Sequence, residues 1–270
     1  MKVSRNGRPH VVLHSLLRKS PNMAARIFTA ILLCAISATC SADVYELRTY
    51  TTNDGKLNDL HSRFRDHTIA LFNKHGMESV GYWVPTDGAK AANTLIYVLK
   101  HKDRDSARKS WAAFIGDPVW KKAFAESRKD GPLLAKAPES VFMSATDYSP
   151  TFKSDKPNED AVFELRTYRC NEGKLPNLDT RFRDNTIRIF ERHGIKSVAY
   201  WHPLQKPDAD DTLIYIIRHD SREAAKASWK AFGSDPEWKK VAKESQKDGR
   251  FLRERPESVY MKATDYSAIK

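Results

Sequence analysis

Cysteine is scarce in this sequence of 270 residues. Only three cysteines are present, and two of them, Cys34 and Cys40, fall in the first 42 residues. Cys170 remains alone in the rest of the chain, which excludes an intrachain disulfide there. Domains of ordinary size fold without such a bond, so the scarcity does not identify the cellular compartment.

The short motifs of common catalytic chemistries are also lacking. No His, Cys, Asp and Glu residues recur at the spacing of a metal site, and neither a nucleophile elbow nor a phosphate-binding loop occurs. The sequence therefore predicts no metal, no cofactor and no firm catalytic residue.

Acidic residues are absent before Asp43, whereas six basic residues precede it. Removing those six from the 46 basic residues leaves 40 against 34 acidic ones, so the net charge falls from +12 to +6. A mild charge spread over helices of mixed sign requires no nucleic-acid partner.

Residues 23–42 have the pattern of a secretory signal. Arg26 supplies the positive start, residues 27–36 are apolar, and small residues at 37–42 suit cleavage after Ala42. The apolar run is too short to span a bilayer. We expect residues 1–42 to be a targeting segment and the mature protein to be exported, periplasmic or extracellular, without a membrane span. Mitochondrial targeting by the acid-free stretch from Met1 is the alternative, and the start codon stays open between Met1 and Met23.

The rest of the chain consists of two tandem copies of one domain. Residues 44–50, VYELRTY, return as VFELRTY at 162–168, and subtracting 44 from 162 gives an offset of 118. The same offset carries ATDYS at 145–149 onto 263–267, with no gap anywhere. A unit of this length exceeds the roughly 20–50 residues of solenoid repeats, so each copy is expected to have its own core. We predict domains at 43–149 and 162–270 joined by a linker at 150–161.

Each copy predicts the element order β-α-β-β-α-α-β. Alternating side chains at 44–50 are typical of a strand, and a period of three to four from Leu57 to His75 predicts an amphipathic helix that ends at Gly76. The solvent face of that helix is predicted to carry Lys56, Arg63, Asp66 and Lys74. This order is that of a ferredoxin-like α+β domain with its helices on one sheet face.

Such a domain leaves the other face of its sheet uncovered, which is unfavourable in water. The sequence therefore predicts that the two copies pack sheet against sheet as an intrachain pseudo-dimeric α/β barrel. Two independent domains are the alternative, and further oligomerisation stays open.

Polar side chains share one face of the first strand in both copies: Glu46, Arg48 and Tyr50, and Glu164, Arg166 and Tyr168. If this face points into the barrel, the pseudo-twofold axis brings the two sets together. They could then hold an anion or act as a base. The alternative is a buried ion-pair network that closes the barrel.

Histidines and aromatic residues are the other candidates. His75 and His193 lie at the end of the first helix of each copy. They are interpreted either as capping and packing residues or as a base or haem ligand. His67 has Asn185 as its counterpart, so any role of His67 exists in one half only. The aromatic residues are expected in the core, with one or two lining a pocket between sheet and helices. They are Tyr82, Trp83, Trp111 and Trp120, with copies Tyr200, Trp201, Trp229 and Trp238.

As a set, these motifs resemble the NIPSNAP family over nearly everything after Asp43. The resemblance is carried by the YELRTY strand, the GKL helix start, the FRD and HG ends of that helix, Gly81-Tyr82-Trp83, and the Ser110-Trp111, Phe114 and Asp117-Pro118-x-Trp120 series. It implies the dimeric α/β barrel fold. It implies no general reaction, because the family has none established, and the link of its vertebrate members to damaged mitochondria does not transfer to an exported tandem protein. The wider superfamily includes cofactor-free monooxygenases, haem-handling enzymes and small-molecule binding modules.

The sequence therefore predicts an exported binding module for a small apolar or aromatic molecule or for a protein partner. The alternative is an oxidoreductase resembling the cofactor-free monooxygenases, which would use Tyr50, His67 or His75 in a cavity between sheet and helices. A purely structural interaction module is the third option.

Overall fold

The computed structural model describes residues 43–152 and 158–270. The predicted targeting segment at 1–42 and residues 153–157 of the predicted linker lie outside the described residues.

Both halves have the predicted order of elements. The strands are β1 Val44–Thr51, β2 Glu78–Pro85, β3 Thr94–His101, β4 Glu139–Ala145, β5 Val162–Arg169, β6 Lys196–Pro203, β7 Thr212–His219 and β8 Glu257–Ala263. The helices are α1 Leu57–Arg63, α2 Ile69–Lys74, α3 Arg104–Gly116, α4 Pro118–Glu126, α5 Leu175–Arg181, α6 Ile187–Arg192, α7 Arg222–Ser234 and α8 Pro236–Ser245. None of the helices in the described ranges is long and apolar enough to cross a membrane.

The eight strands form one closed antiparallel barrel in the order β1-β3-β2-β8-β5-β7-β6-β4. The halves meet where β2 pairs with β8, with Trp83 opposite Ala263, and where β4 pairs with β6, with Ala145 opposite Trp201. Closure pairs every strand on both sides, which removes exposed sheet edges. The predicted intrachain pseudo-dimeric barrel is confirmed, and the alternative of two independent domains is wrong.

The barrel interior is a hydrophobic core to which both halves contribute. Trp83 and Trp201 are fully buried in it. The Trp83 ring centroid lies 5.7 Å from that of Phe163, and the Tyr45 centroid lies 5.8 Å from that of Trp201. Because these contacts join residues of different halves, each half completes the core of the other.

The repeated ATDYS segments form hydrogen bonds between the two halves. The amide of Thr146 donates to the carbonyl of Tyr200, and the amide of Thr264 donates to the carbonyl of Tyr82, both at 3.0 Å. Ser267 Oγ accepts a further hydrogen bond of 3.0 Å from the amide of Tyr82. This exchange gives the repeated motif a structural role.

A π-helical turn interrupts the first helix of each half, at Phe64–Thr68 between α1 and α2 and at Phe182–Thr186 between α5 and α6. Such a turn leaves a carbonyl without its usual partner and shifts the phase of the side chains. In the first half the Thr68 hydroxyl donates to the carbonyl of Arg63 at 3.0 Å. The prediction that Arg63 faces solvent is wrong, because its side chain is buried at 4% exposure.

Candidate functional site

The polar face of the first strand points away from the barrel interior in both halves. Tyr45 belongs to the barrel core, so its neighbour Glu46 lies on the opposite face, where the indole Nε1 of Trp111 in α3 donates to it at 2.7 Å. In the second half, Trp229 of α7 donates to Glu164 at 2.8 Å. The condition under which the pseudo-twofold axis would bring the two sets together inside the barrel is therefore not met. Each set lies beneath the helices of its own half.

Four donors surround the carboxylate of Glu46. Oε1 accepts from Arg48 at 2.5 Å and from Ser140 at 2.6 Å, and Oε2 accepts from Trp111 and contacts Nε2 of His101 at 3.1 Å. Burial alone raises the pKa of Glu46, but the hydrogen bond to His101, the charge of Arg48 and the remaining donors bring it to about 2.

The second half repeats this arrangement around Glu164, whose pKa is likewise lowered to about 2. Its partners are Arg166, Ser258, Trp229 and His219. A carboxylate with four donors and so low a pKa is suited to holding strands and helices together rather than to accepting a proton. The ion pairs are therefore buried as predicted, but they lie within the sheet of one half and do not close the barrel, and the tryptophan hydrogen bonds join sheet to helix.

His75 and His193 lie at the junction between two helices of their half. Nε2 of His75 lies 2.8 Å from Oδ2 of Asp117, which also accepts from Lys74 at 2.7 Å. The other oxygen of Asp117 caps α4. The hydrogen bonds from Lys74 and His75 hold the pKa of Asp117 well below its ordinary value. His193 and Asp235 form the same contact at 2.7 Å.

Tyr50 and Tyr82 lie in one hydrophobic cluster of the first half, Tyr200 lies in the corresponding cluster of the second half, and His67 lies at the surface. The Tyr82 and Tyr200 hydroxyls are fully buried, each within hydrogen-bond distance of a serine in its own half. Tyr50 packs edge-on against Tyr97 with centroids 5.3 Å apart. His67 is half-buried in a surface groove of about 330 Å³ that Arg63 also lines, and we call this the Arg63 groove.

A larger cavity, of about 520 Å³, lies between sheet and helices in the second half, and we call it the Arg181 cavity. It combines an aromatic floor with arginines contributed by the loop between α8 and β8. Its lining residues are Tyr168, Arg181, Phe182, Thr186, Phe190, Phe232, Trp238, Gln246, Arg250, Leu252, Arg253, Glu254, Arg255 and Pro256. The exposed residues of that loop mark the side on which the cavity opens to solvent.

Arg181 is the counterpart of Arg63 and is buried at 7% exposure by the same π-helical turn. Its guanidinium carbon lies 5.2 Å from the ring centroid of Trp238 and 4.7 Å from that of Phe251. Nη1 lies 3.5 Å from Oγ of Ser245, the limit of a hydrogen bond. Desolvation by burial lowers the pKa of Arg181.

The loop at the mouth of the cavity carries three arginines that the first half lacks, although Glu254 in the same loop corresponds to Lys136. Arg250, Arg253 and Arg255 correspond, at the offset of 118, to Pro132, Ala135 and Ala137 in the first half. Arg253 pairs with Asp211 at the rim. Tyr168 on the cavity wall is only half-buried, whereas its counterpart Tyr50 is buried.

Tyr168 is the one predicted polar site residue that lines the Arg181 cavity. Trp238, from the predicted aromatic set, lines it as well. Sequence reasoning missed Arg181 because the regular helical period assigned its counterpart Arg63 to the solvent face. It also missed the loop arginines, although the departure of the second copy from the first at three nearby positions was a readable signal. Within residues 43–152 and 158–270, no group of three His, Cys, Asp or Glu side chains could hold a metal ion.

Comparison with known proteins adds a family and a fold. The family model NIPSNAP matches residues 45–150 and again residues 163–268. A protein described as NipSnap homolog from Dictyostelium discoideum is 31% identical over 134 residues, which are 49% of this chain and 51% of that protein. The chain thus spans about half the length of that relative.

The solved structures that are similar to the chain include the following two. A candidate monooxygenase from Lactobacillus acidophilus NCFM has a TM-score of 0.53 and 10% identity, covering 82% of this chain and 94% of that one. At that identity the likeness concerns the fold alone. A NIPSNAP family protein of unknown function from Agrobacterium tumefaciens str. C58 is 24% identical, with a TM-score of 0.36 and coverage of 41% and 94%.

Proposed function

The chain belongs to the NIPSNAP family, and we propose that it is a binding module whose small-molecule ligand occupies the Arg181 cavity. The observation that carries the proposal is the cavity itself. A space of about 520 Å³, with aromatic residues on one side and charged or polar residues on the other, has the size of a small-molecule site. The barrel interior is instead occupied by its own tryptophan and methionine side chains.

The proposed ligand site belongs to the second half, and the first half offers a corresponding position for a control substitution. Leu252 lines the cavity and Leu134 is its counterpart in the first half. Each leucine forms an isolated bridge to the segment that follows the first strand of its half, so their backbone settings match. They therefore provide a matched pair for placing a bulky side chain in one half or the other.

The experiment fills the cavity and measures binding of a neutral aromatic probe, N-phenyl-1-naphthylamine, by its fluorescence. We expect the unmodified protein to bind the probe, Leu252→Trp to lose most of that binding, and Leu134→Trp to retain it. Mass spectrometry of small molecules released on denaturation of protein from its own host provides a second readout. Absence of probe binding, or equal binding by both variants, would contradict the proposed site.

An oxidoreductase role has weaker support. It draws on the fold likeness to a candidate monooxygenase, at 10% identity. The groups that it would use do not meet in one cavity: Tyr50 packs in an aromatic cluster, His75 is bonded to Asp117, and His67 lies in the Arg63 groove. Binding without strong catalysis therefore stays our proposal, and a protein partner stays a prediction.

We further propose that the mature chain is exported after cleavage of residues 1–42. The support is the sequence pattern at 23–42, with its basic start, apolar run and small residues before Asp43. Mitochondrial targeting remains the alternative outcome.

A further inference from the structure

We propose that the ligand of the Arg181 cavity is an anion with an aromatic or other apolar body, and that Arg181 receives its charged group. This inference rests on the binding role proposed above and adds the chemical class of the ligand.

Arg181 is a buried cation without a carboxylate partner among the described residues. Its contacts are the distant Ser245 hydroxyl and two aromatic faces, and its Nε is buried without a hydrogen-bond partner. Buried arginine is normally paired, because the guanidinium stays charged and its desolvation is costly. Since Arg181 also lines an open cavity, a bound anion would supply the missing partner.

The walls around Arg181 define the rest of the ligand. Phe182, Phe190 and Phe232 line the cavity together with Trp238. Aromatic side chains of this kind favour a ring or another apolar group beyond the charged end. The phenylalanines are already buried, but Tyr168, Trp238 and Leu252 stay partly exposed to the cavity. An inorganic anion would leave these three side chains uncovered, so we infer an organic anion such as an aryl or alkyl carboxylate or sulfonate.

The charged residues that line the Arg181 cavity are mostly positive, as a site for an anion requires. Four arginines and one carboxylate, that of Glu254, line the Arg181 cavity. In the Arg63 groove the balance is reversed, since one arginine is accompanied by Asp59, Asp66, Glu126 and Asp130. Positive potential at a mouth concentrates anions and speeds their entry.

The first half therefore supplies an internal control. Arg63 is buried like Arg181 and lies 5.3 Å from the ring centroid of Trp120, so both arginines share a structural environment. Only Arg181 combines that environment with an aromatic cavity and a basic mouth. A substitution at Arg181 that merely loosens the helix packing should weaken binding of charged and neutral probes alike, whereas loss of an anion contact should weaken binding of the charged probe alone. Arg63→Met shows the effect of the same substitution on the fold away from the cavity.

The test compares two probes of the same skeleton, 8-anilinonaphthalene-1-sulfonate and neutral N-phenyl-1-naphthylamine, which differ by the sulfonate. We expect the unmodified protein to bind the sulfonate more tightly by about tenfold or more, the usual effect of a charge-assisted hydrogen bond. Arg181→Met should remove this preference and Arg63→Met should retain it. Arg250→Ala, at an exposed position, should weaken sulfonate binding severalfold at low salt without a change in fold.

The outcomes separate the two proposals. Equal affinity for both probes, with both lost in Leu252→Trp, overturns the anion inference and leaves the binding role standing. Binding of neither probe overturns both. An unchanged preference for the sulfonate in folded Arg181→Met and Arg250→Ala also overturns the anion inference.

Discussion

Arg183 of the second half donates two hydrogen bonds of 2.7 Å to the two carboxylate oxygens of Asp147 in the first half. The reverse pair, Arg65 with Asp265, has distances of 2.8 and 3.0 Å. All four side chains are exposed, so these pairs orient the halves more than they stabilise them. The shared apolar core inside the barrel is the main connection.

One half expressed alone is therefore expected to form a homodimer. Residues 43–152 would otherwise expose the apolar face around Trp83 and Met143 together with the free edges of β2 and β4. Size-exclusion chromatography with light scattering would measure the mass, with residues 43–270 as the reference. A folded, soluble monomer of the half would contradict the shared core.

Acid is expected to destabilise the protein through Glu46 and Glu164. The folded pKa of Glu46 is about 2, below its ordinary value of 4.5, so its contribution is fully present above pH 4.5 and is lost as the pH falls towards 2. A shift of this size corresponds to about 3 kcal/mol for one group. Glu46→Gln should lower the free energy of unfolding at pH 7 by about that amount and flatten its decrease between pH 4.5 and 2.

Urea unfolding at a series of pH values would check this dependence. Glu78→Gln is the control, because Glu78 is an exposed glutamate whose contact with Lys100 is 3.4 Å. Parallel stability curves for the unmodified protein and Glu46→Gln below pH 4.5 would rule out the proposed contribution.

Gly81 is expected to resist substitution by alanine. A Cβ at this position would lie 2.4 Å from Cη2 of the fully buried Trp83, so the ring would have to move within the packed barrel core. Overpacking of this kind costs about 1–3 kcal/mol. The control is Ala199→Gly at the counterpart position, which removes a Cβ and should cost less. Chemical denaturation of both variants would measure their free energies of unfolding. A Gly81→Ala protein of unchanged stability would contradict the close contact.

Cleavage after Ala42 is expected when the full sequence is produced in its own host. Intact-mass and N-terminal analysis should find Asp43 as the first residue, in the exported fraction. A chain that keeps Met1 or Met23, or that accumulates in mitochondria, would refute the export proposal.

The repeat in the sequence was enough to predict most of the fold. The offset of 118 without gaps implied two equal units, and the helix and strand periods within each unit gave the correct order of elements. The uncovered sheet face then required a partner, and the second copy provided it. The start of α4 at Asp117-Pro118 has a local cause, because aspartate caps the free amides and proline suits the first turn.

The candidate site was much less accessible to sequence reasoning. The sheet is buried on both faces, so alternation along β1 showed that Glu46 and Tyr45 lie on opposite faces without showing which face enters the barrel. The π-helical turns broke the regular period at the position where Arg63 and Arg181 turn inward. The Arg181 cavity is lined by segments that are distant in sequence, from β5 to the loop before β8. Their contact in the fold produces no single motif in the sequence.

The sequence by itself determined the duplication, the element order and the need of each sheet for the other, because these follow from local periodicity and from covering apolar surface. Only the tertiary structure decided which strand face lies inside, which arginines are buried, and that the cavity of about 520 Å³ described above lies in the second half. The physical reason is that packing of distant segments sets burial and charge environment, and two halves of the same fold can differ there through substitutions in one loop.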